Sequence, residues 1–347
     1  MPIQRLLSGG MCYADAVAMH AAGHAGVSWV DCGEWLGDRN LRVARDARSQ
    51  QTARSWFRFA SACFRFAQSA IPRDTDRKRS LFRKMVDSFD SACALDTPIT
   101  QKHEIPWRSG KLCGWLLRPV QIAAAPVVMI MGGFDGWREE YHAGALQLVE
   151  RGVAAFLMDG PGQGESRLVH GLHLDANFPE AFATVATYLR ERCNLGQHVG
   201  IWGNSLGGFL AAKTVATYPH LFDALCVNGG TTRPLELPER HPRFLEKVEA
   251  LVGTSDRARM LETLQELDLP RGVLSIGCPL LQLHSVPDQV FLLENARPIH
   301  DLAASTDKTL LIWEDGDHCI YNHFEEKNMC VADWFCRHLP QPQSQTR

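Results

Sequence analysis

The sequence predicts an α/β protein, a mostly parallel sheet with helices on both faces, preceded by a helical module. Three observations predict it. Residues 1–97 lack the alternation of a strand, whereas from about Ile99 short apolar runs alternate with amphipathic stretches. The pentapeptide Gly203-Asn204-Ser205-Leu206-Gly207 sits at one strand-to-helix junction. Strands that alternate with amphipathic helices pair in parallel, because each crossover helix covers a sheet face.

In the helical module, Leu41–Ala70 places Trp56, Ala60, Cys63 and Ala67 at helical spacing, with Phe57 and Phe64 alongside. Its arginines, among them Arg45, Arg48, Arg58 and Arg65, interleave with aromatics, but read as a solvated or interdomain helix face. A second helix follows Pro72, capped by Asp74, Thr75 or Asp76, with Phe82, Met85, Val86 and Phe89 inward. His20 and His24 are four apart, yet no carboxylate or thiol completes a metal site.

A hairpin follows: Thr100–Pro106, a Ser109-Gly110 turn, then Lys111–Arg118. The predicted strands are Pro126–Met131, Val153–Met158, His198–Trp202, Phe222–Val227, Pro279–His284 and Thr309–Trp313. The predicted helices are Arg138–Arg151, Phe178–Arg192, Leu206–Thr217, Val290–Leu302 and a terminal one near Ile320–His338. Residues 231–272 interrupt the alternation as an insertion with two helices beside the strand ends, where it would shape a pocket. The domain boundaries are thus 1–97 and 98–339, with a polar, disordered tail over 340–347.

The chemistry centres on Ser205. Val199, Ile201 and Trp202 form a buried strand, and Leu206, Phe209, Leu210 and Val215 the inward face of a helix. So sharp a turn forces strain on the central residue and lifts its side chain above the sheet. A serine hydroxyl needs a base, and the base needs an orienting carboxylate. The chain order Ser, acid, His points to Asp288, in the turn made by Pro287 after a strand, and to His318, in the loop after the last strand. Asp288 also fits a plain helix cap. Glu294 lies too far into the next helix, His323 falls inside the terminal helix, and Asp315 and Asp317 read as solvated loop residues. The oxyanion hole would use the backbone N–H of Leu206 and that of Phe134, after Gly132-Gly133. The stretch Asp159–Ser166 lacks the Lys and Ser or Thr of a phosphate loop, and reads as a structural loop near the site.

Composition bounds the rest. The chain of 347 residues is 45% hydrophobic and 22% charged, with a net charge of -3. That balance gives no argument for nucleic acid or anionic membrane. No apolar run reaches the ~18 residues of a membrane span, and Asp15 with its neighbouring glycines breaks a signal-peptide core. Eleven cysteines without C-x-x-C spacing read as reduced thiols, so the cytoplasm is the expected compartment. No cofactor and no metal are expected. The expected partner is a small-molecule ketone or ester, with a homodimer as the candidate assembly.

With these residues placed, the sequence resembles a branch of the α/β-hydrolase superfamily. That branch contains bacterial 2,6-dihydroxypseudooxynicotine hydrolase, fermentation–respiration-switch-like proteins and fungal hydrolases that shorten polyketide pigment precursors. The matching residues are Gly132-Gly133-Phe134-Asp135 with Arg138-Glu139-Glu140, the Asp159–Glu165 stretch, Gly203–Gly208, Asp288 and His318. The resemblance covers nearly the whole chain. It implies an α/β-hydrolase fold whose N-terminal helices cap the site, and a reaction that in some members cleaves a carbon–carbon bond next to a ketone. Glu236 falls where a relative carries a functional glutamate, which makes it a candidate auxiliary acid against the alternative of a surface charge. The expectation is therefore a serine hydrolase acting on a β-diketone, acyl-phenol or polyketide-like ketone in specialised metabolism or aromatic catabolism. An esterase, lactonase, thioesterase or acyltransferase would use the same triad. A non-catalytic binding protein on the same scaffold would lack a triad member, and none is missing.

Overall fold

The computed structural model describes residues 1–96, 100–120, 122, 124–134, 137–270 and 272–340. Asp135 of the glycine loop, Ile99 and the tail from 341 lie outside the described residues. The chain divides into two compact units, Met1–Lys102 and His103–Arg347.

The first unit holds five helices among its described residues: α1 (Ile3–Ser8), α2 (Tyr13–His24), α3 (Trp29–Arg45), α4 (Gln50–Ser69) and α5 (Asp76–Cys93). The predicted Leu41–Ala70 helix is split. Asp46 ends α3, and the Ser49 hydroxyl accepts the Thr52 amide to start α4 afresh. Of the three candidate caps for α5, Thr75 serves, its hydroxyl accepting the Lys78 amide. Leu6, Met11, Met19, Leu36, Cys63 and Phe66 form a core. Arg65 departs from the solvated face predicted for it: it is buried and donates to the Gly9 carbonyl. His20 and His24 approach to 3.1 Å at the surface. No group of three or more potential metal ligands occurs among the described residues.

The second unit is built on an eight-stranded sheet. Its strands are β1 (Thr100–Trp107), β2 (Gly110–Leu117), β3 (Val127–Met131), β4 (Ala154–Asp159), β5 (Val199–Asn204), β6 (Ala224–Asn228), β7 (Leu280–Ser285) and β8 (Lys308–Trp313). The spatial order is β1-β2-β4-β3-β5-β6-β7-β8; β2 runs antiparallel to β4, and every pair from β4 to β8 is parallel. Strands β3 to β6 are buried along their whole length, as continuous apolar runs require when helices cover both faces. Those helices include α6 (His142–Glu150), α7 (Gly164–Leu168), α8 (Phe178–Arg192), α9 (Leu206–Thr217), α13 (Leu293–Leu302) and α14 (Phe324–His338). The chain leaves β3 toward β4 on one side and returns to β5 on the other. Loops diverge at such a reversal and open a crevice above the carboxyl ends of the strands.

Three predicted elements are corrected. The insertion carries three helices, α10 (Glu236–Arg240), α11 (Leu245–Val252) and α12 (Arg257–Leu267); α10 stops at His241, whose backbone leaves the helical region before Pro242, and a 3-10 turn from Pro242 leads into α11. The helix predicted from Arg138 opens as a 3-10 turn over Arg138–Tyr141. The terminal helix starts at Phe324, since Cys319 and Ile320 have positive φ and cannot lie in an α-helix.

Beside β4 lies a buried ion cluster. Arg138 is fully buried against Glu139, Asp159 and Glu165, and Glu139 also accepts from the Trp115 indole. Burial pushes the Asp159 carboxyl up to about 7, against the pull of Arg138. Removing one partner from such a cluster leaves uncompensated charge in the interior. Arg138→Met should therefore cost about 3–5 kcal/mol, measured by urea unfolding. A loss under about 1 kcal/mol would show that the carboxylates do not need the cation.

Candidate active site

Ser205 adopts φ 59 and ψ -128, the strained turn predicted between β5 and α9. The local sequence permits it at short range: a Cβ on Gly203 would meet the Gly207 carbonyl at 2.0 Å. The Ser205 amide donates to the Asn228 carbonyl at 2.8 Å, which fixes the turn to the end of β6.

His318 follows β8 in a 3-10 turn, and its imidazole reaches two of the predicted residues. Nδ1 lies 2.8 Å from Asp288 Oδ2, and Nε2 lies 2.8 Å from Ser205 Oγ. With Nδ1–H donating to the carboxylate, Nε2 is free to accept the serine proton. Asp288 Oδ2 faces His318, while Oδ1 accepts the amides of Val290 (2.8 Å) and Phe291 (3.2 Å); these bonds hold the loop and do not cap a helix, since α13 begins at Leu293 with Leu292 as its N-cap. Burial opposes ionisation of Asp288, but His318, its first electrostatic partner, holds the carboxyl below the usual range. Burial likewise pushes His318 down, and the Asp288 carboxylate outweighs it, leaving the imidazole well above its ordinary value.

Leu206 begins α9, so its N–H belongs to the first turn of the helix and has no intrahelical acceptor. Gly133 lies against it: a Cβ there would sit 2.8 Å from the Leu206 nitrogen and 2.9 Å from Ser205 Oγ. Phe134, the second predicted oxyanion donor, comes next in the chain after Gly133. The arrangement can activate a hydroxyl, hold an imidazolium and receive a developing oxyanion.

Glu236 is not a surface charge. It is 1% exposed, and accepts from the Thr231 hydroxyl (2.6 Å), the Asn295 amide (2.5 Å) and the Leu292 N–H (3.5 Å). Burial raises its pKa, against those hydrogen bonds. Asp317, expected to be solvated, caps the turn that carries His318 by accepting the amides of Tyr321 and Asn322. Glu294 is exposed, and Asp315 pairs with His323 away from the triad.

Three side chains went unnoticed in the sequence. Asn204 Nδ2 donates to the Met131 carbonyl at 3.3 Å, and Asn228 Nδ2 donates to Asn204 Oδ1 (2.9 Å) and to the Cys319 carbonyl (3.1 Å). Gln163, in the Asp159–Ser166 loop, donates to the carbonyls of Gly132 and Gly133. The only signal was position, an amide at each strand end or in a glycine loop.

Known proteins resemble this chain over most of its length. A family pattern described as serine aminopeptidase, S33, matches residues 123–257. The chain is 27% identical over 353 residues to 2,6-dihydropseudooxynicotine hydrolase of Paenarthrobacter nicotinovorans, covering 95% of this chain and 89% of that one. It is 32% identical over 265 residues to 20-hydroxy-prefusarin hydrolase of Gibberella moniliformis, covering 62% of each. The crystal structure of 2,6-dihydroxy-pseudo-oxynicotine hydrolase superposes with a TM-score of 0.86 at 24% identity, over 97% of this chain and 95% of that one, a likeness of fold.

The raised His318 pKa has a consequence for pH. Only neutral His318 accepts a proton from Ser205, so kcat/KM should rise with pH along a limb set above the ordinary imidazole value of about 6.5. In Asp288→Asn burial dominates, and the limb of the residual activity should move to lower pH. A pH–rate profile of both proteins checks this, and an unmoved limb would contradict it.

Proposed function

We propose that this protein, which has an α/β-hydrolase fold, is a hydrolase that cleaves a carbon–carbon bond adjacent to a ketone, in a β-diketone, acyl-phenol or polyketide-like substrate, with Ser205 as nucleophile. The observation that carries the proposal is the hydrogen-bonded line from Ser205 through His318 to Asp288. Carbon as the leaving atom is supported by the resemblance to a branch with such members, and by the extent of the match to the pseudooxynicotine hydrolase.

In this reading Ser205 Oγ attacks the ketone carbonyl while His318 takes its proton. The oxyanion forms against the N–H groups of Phe134 and Leu206. Collapse breaks the carbon–carbon bond, and its electron pair leaves on a carbon stabilised by a neighbouring carbonyl or hydroxylated ring. Carbon is a poor leaving group, so a proton must reach it as the bond breaks. His318 supplies that proton, and water then hydrolyses the acyl-serine. No cofactor takes part. The helical module, 1–97, is the proposed cap on the strength of the branch resemblance, and the insertion, 231–272, the proposed substrate loop because it follows β6 beside the strand ends. Glu236 enters as a second acid on the strength of the same resemblance, which puts a functional glutamate at its position; burial raises its pKa against the hydrogen bonds it accepts.

Ser205→Ala should lower kcat by roughly 10³-fold or more while leaving the melting temperature unchanged. Assayed on β-diketones, aryl ketones, p-nitrophenyl esters and acyl thioesters, the wild type should cleave ketones. Brisk ester hydrolysis with no ketone cleavage would make the protein an esterase instead.

Glu236→Gln should slow ketone cleavage much more than p-nitrophenyl ester hydrolysis, whose leaving group needs no proton. Equal losses in kcat/KM would assign Glu236 to holding Thr231 and Asn295 together, with no part in proton transfer.

A further inference from the structure

The loop after β3 must present an N–H to the reacting oxygen, yet its sequence, Gly132-Gly133, leaves its peptides free to turn. What removes that freedom is a set of buried amides. Three consecutive carbonyls are held: Met131 by Asn204 Nδ2 at 3.3 Å, Gly132 by Gln163 Nε2 at 2.6 Å, and Gly133 by the same nitrogen at 3.2 Å. Gln163 is 3% exposed, and its Oε1 accepts the Gly160 N–H at 2.9 Å, so each end of its amide is spoken for. Its backbone is fixed too, the N–H donating to Gly160 and the carbonyl accepting from Arg167. The Asp159 carboxylate, one strand end away, accepts the amides of both Arg138 and Glu165, tying the two loops at their far sides.

A trans peptide carries its C=O and N–H on opposite edges. Holding the Gly133 oxygen therefore also sets the direction of the Phe134 N–H. Were that peptide to flip, a carbonyl oxygen would take the place of the N–H, and an oxyanion would meet repulsion where it needs a donor. Gly133, with no Cβ, puts little steric resistance in the way of a flip, and it packs within contact of Ser205 and Leu206.

We infer that Gln163 is a positioning residue that aims the Phe134 N–H at the developing oxyanion. The inference rests on the proposed reading of Ser205 as nucleophile and Phe134 as oxyanion donor. It gives the Asp159–Ser166 loop a role in transition-state stabilisation beyond that of a turn. Gln163 touches no substrate; it acts through the peptide it holds.

The test uses the full chain and two variants. Gln163→Met keeps the size of the side chain and removes both donors, whereas Gln163→Glu puts an acceptor against two carbonyls. Active sites are first counted by end-point labelling with a fluorophosphonate, so that misfolded protein does not enter kcat. Per labelled site, Gln163→Met should lose about 10- to 100-fold in kcat, approaching the loss of an oxyanion donor, with KM within about twofold. Gln163→Glu should lose at least as much. Affinity for phenylboronic acid, which forms a tetrahedral adduct on the serine, should fall in step with kcat across the series. A merely structural role would lower the labelled fraction and the melting temperature while leaving kcat per site and boronate affinity at wild-type values, and that result would overturn the assignment. Failure of the wild type to take up fluorophosphonate would remove the nucleophile reading itself, and the assignment with it, before any variant is compared.

Discussion

One side-chain hydrogen bond, from Asn228 to Asn204 at 2.9 Å, ties together the three loops on which the site depends. Asn204 reaches back to the Met131 carbonyl, where the glycine loop begins. Asn228 accepts the Ser205 amide on its own carbonyl, and its side chain holds the Cys319 carbonyl beside His318. Both asparagines end parallel strands, where the ladder stops and backbone groups need new partners. Their amides meet that need in the interior, where an unmet donor costs about 1–3 kcal/mol. The strain at Ser205 and the positive φ at Cys319 and Ile320 persist because these bonds over-determine the backbone around them.

A second layer supports the first. The Arg138 cluster holds the start of the turn after the glycine loop to the Asp159–Ser166 loop, and Gln163 then reaches the glycine carbonyls from that loop. On the opposite side of the sheet's centre, Asp288 holds its own loop by accepting two amides with one oxygen and presents the other to His318. Glu236 closes the same region by joining Thr231 to the start of α13. Buried carboxylates thus fix loops throughout the site, and in Asp288 one carboxylate both fixes a loop and faces the base.

The fold and the meeting of Ser205, His318 and Asp288 were legible because each rests on local grammar. Apolar runs mark buried strands, the pentapeptide marks the turn at Ser205, and the loops after β7 and β8 carry Asp288 and His318 at the expected chain order. What sequence could not convey depends on contacts distant in the chain. The placing of β4 between β2 and β3 is one such case, since the run Val153–Met158 reads the same at any sheet position. Glu236 is another, because its burial comes from Asn295, far along the chain. Gln163 looked like one more polar residue in a glycine-rich turn until its carbonyl partners were seen. The start of α14 was missed for a local reason: left-handed backbone at Cys319 and Ile320 has no residue signature.

The central claim is that Ser205 attacks the ketone carbonyl and carries the acyl fragment. Rapid acid quench of the wild type during turnover of a β-diketone, followed by mass spectrometry of the peptide containing Ser205, tests it directly. The account predicts an added acyl mass on Ser205 that appears as the carbon fragment is released and decays at the rate of acid release. Steady release of both products with Ser205 unmodified at every quench time, under conditions that trap an ester-derived acyl group, would contradict it.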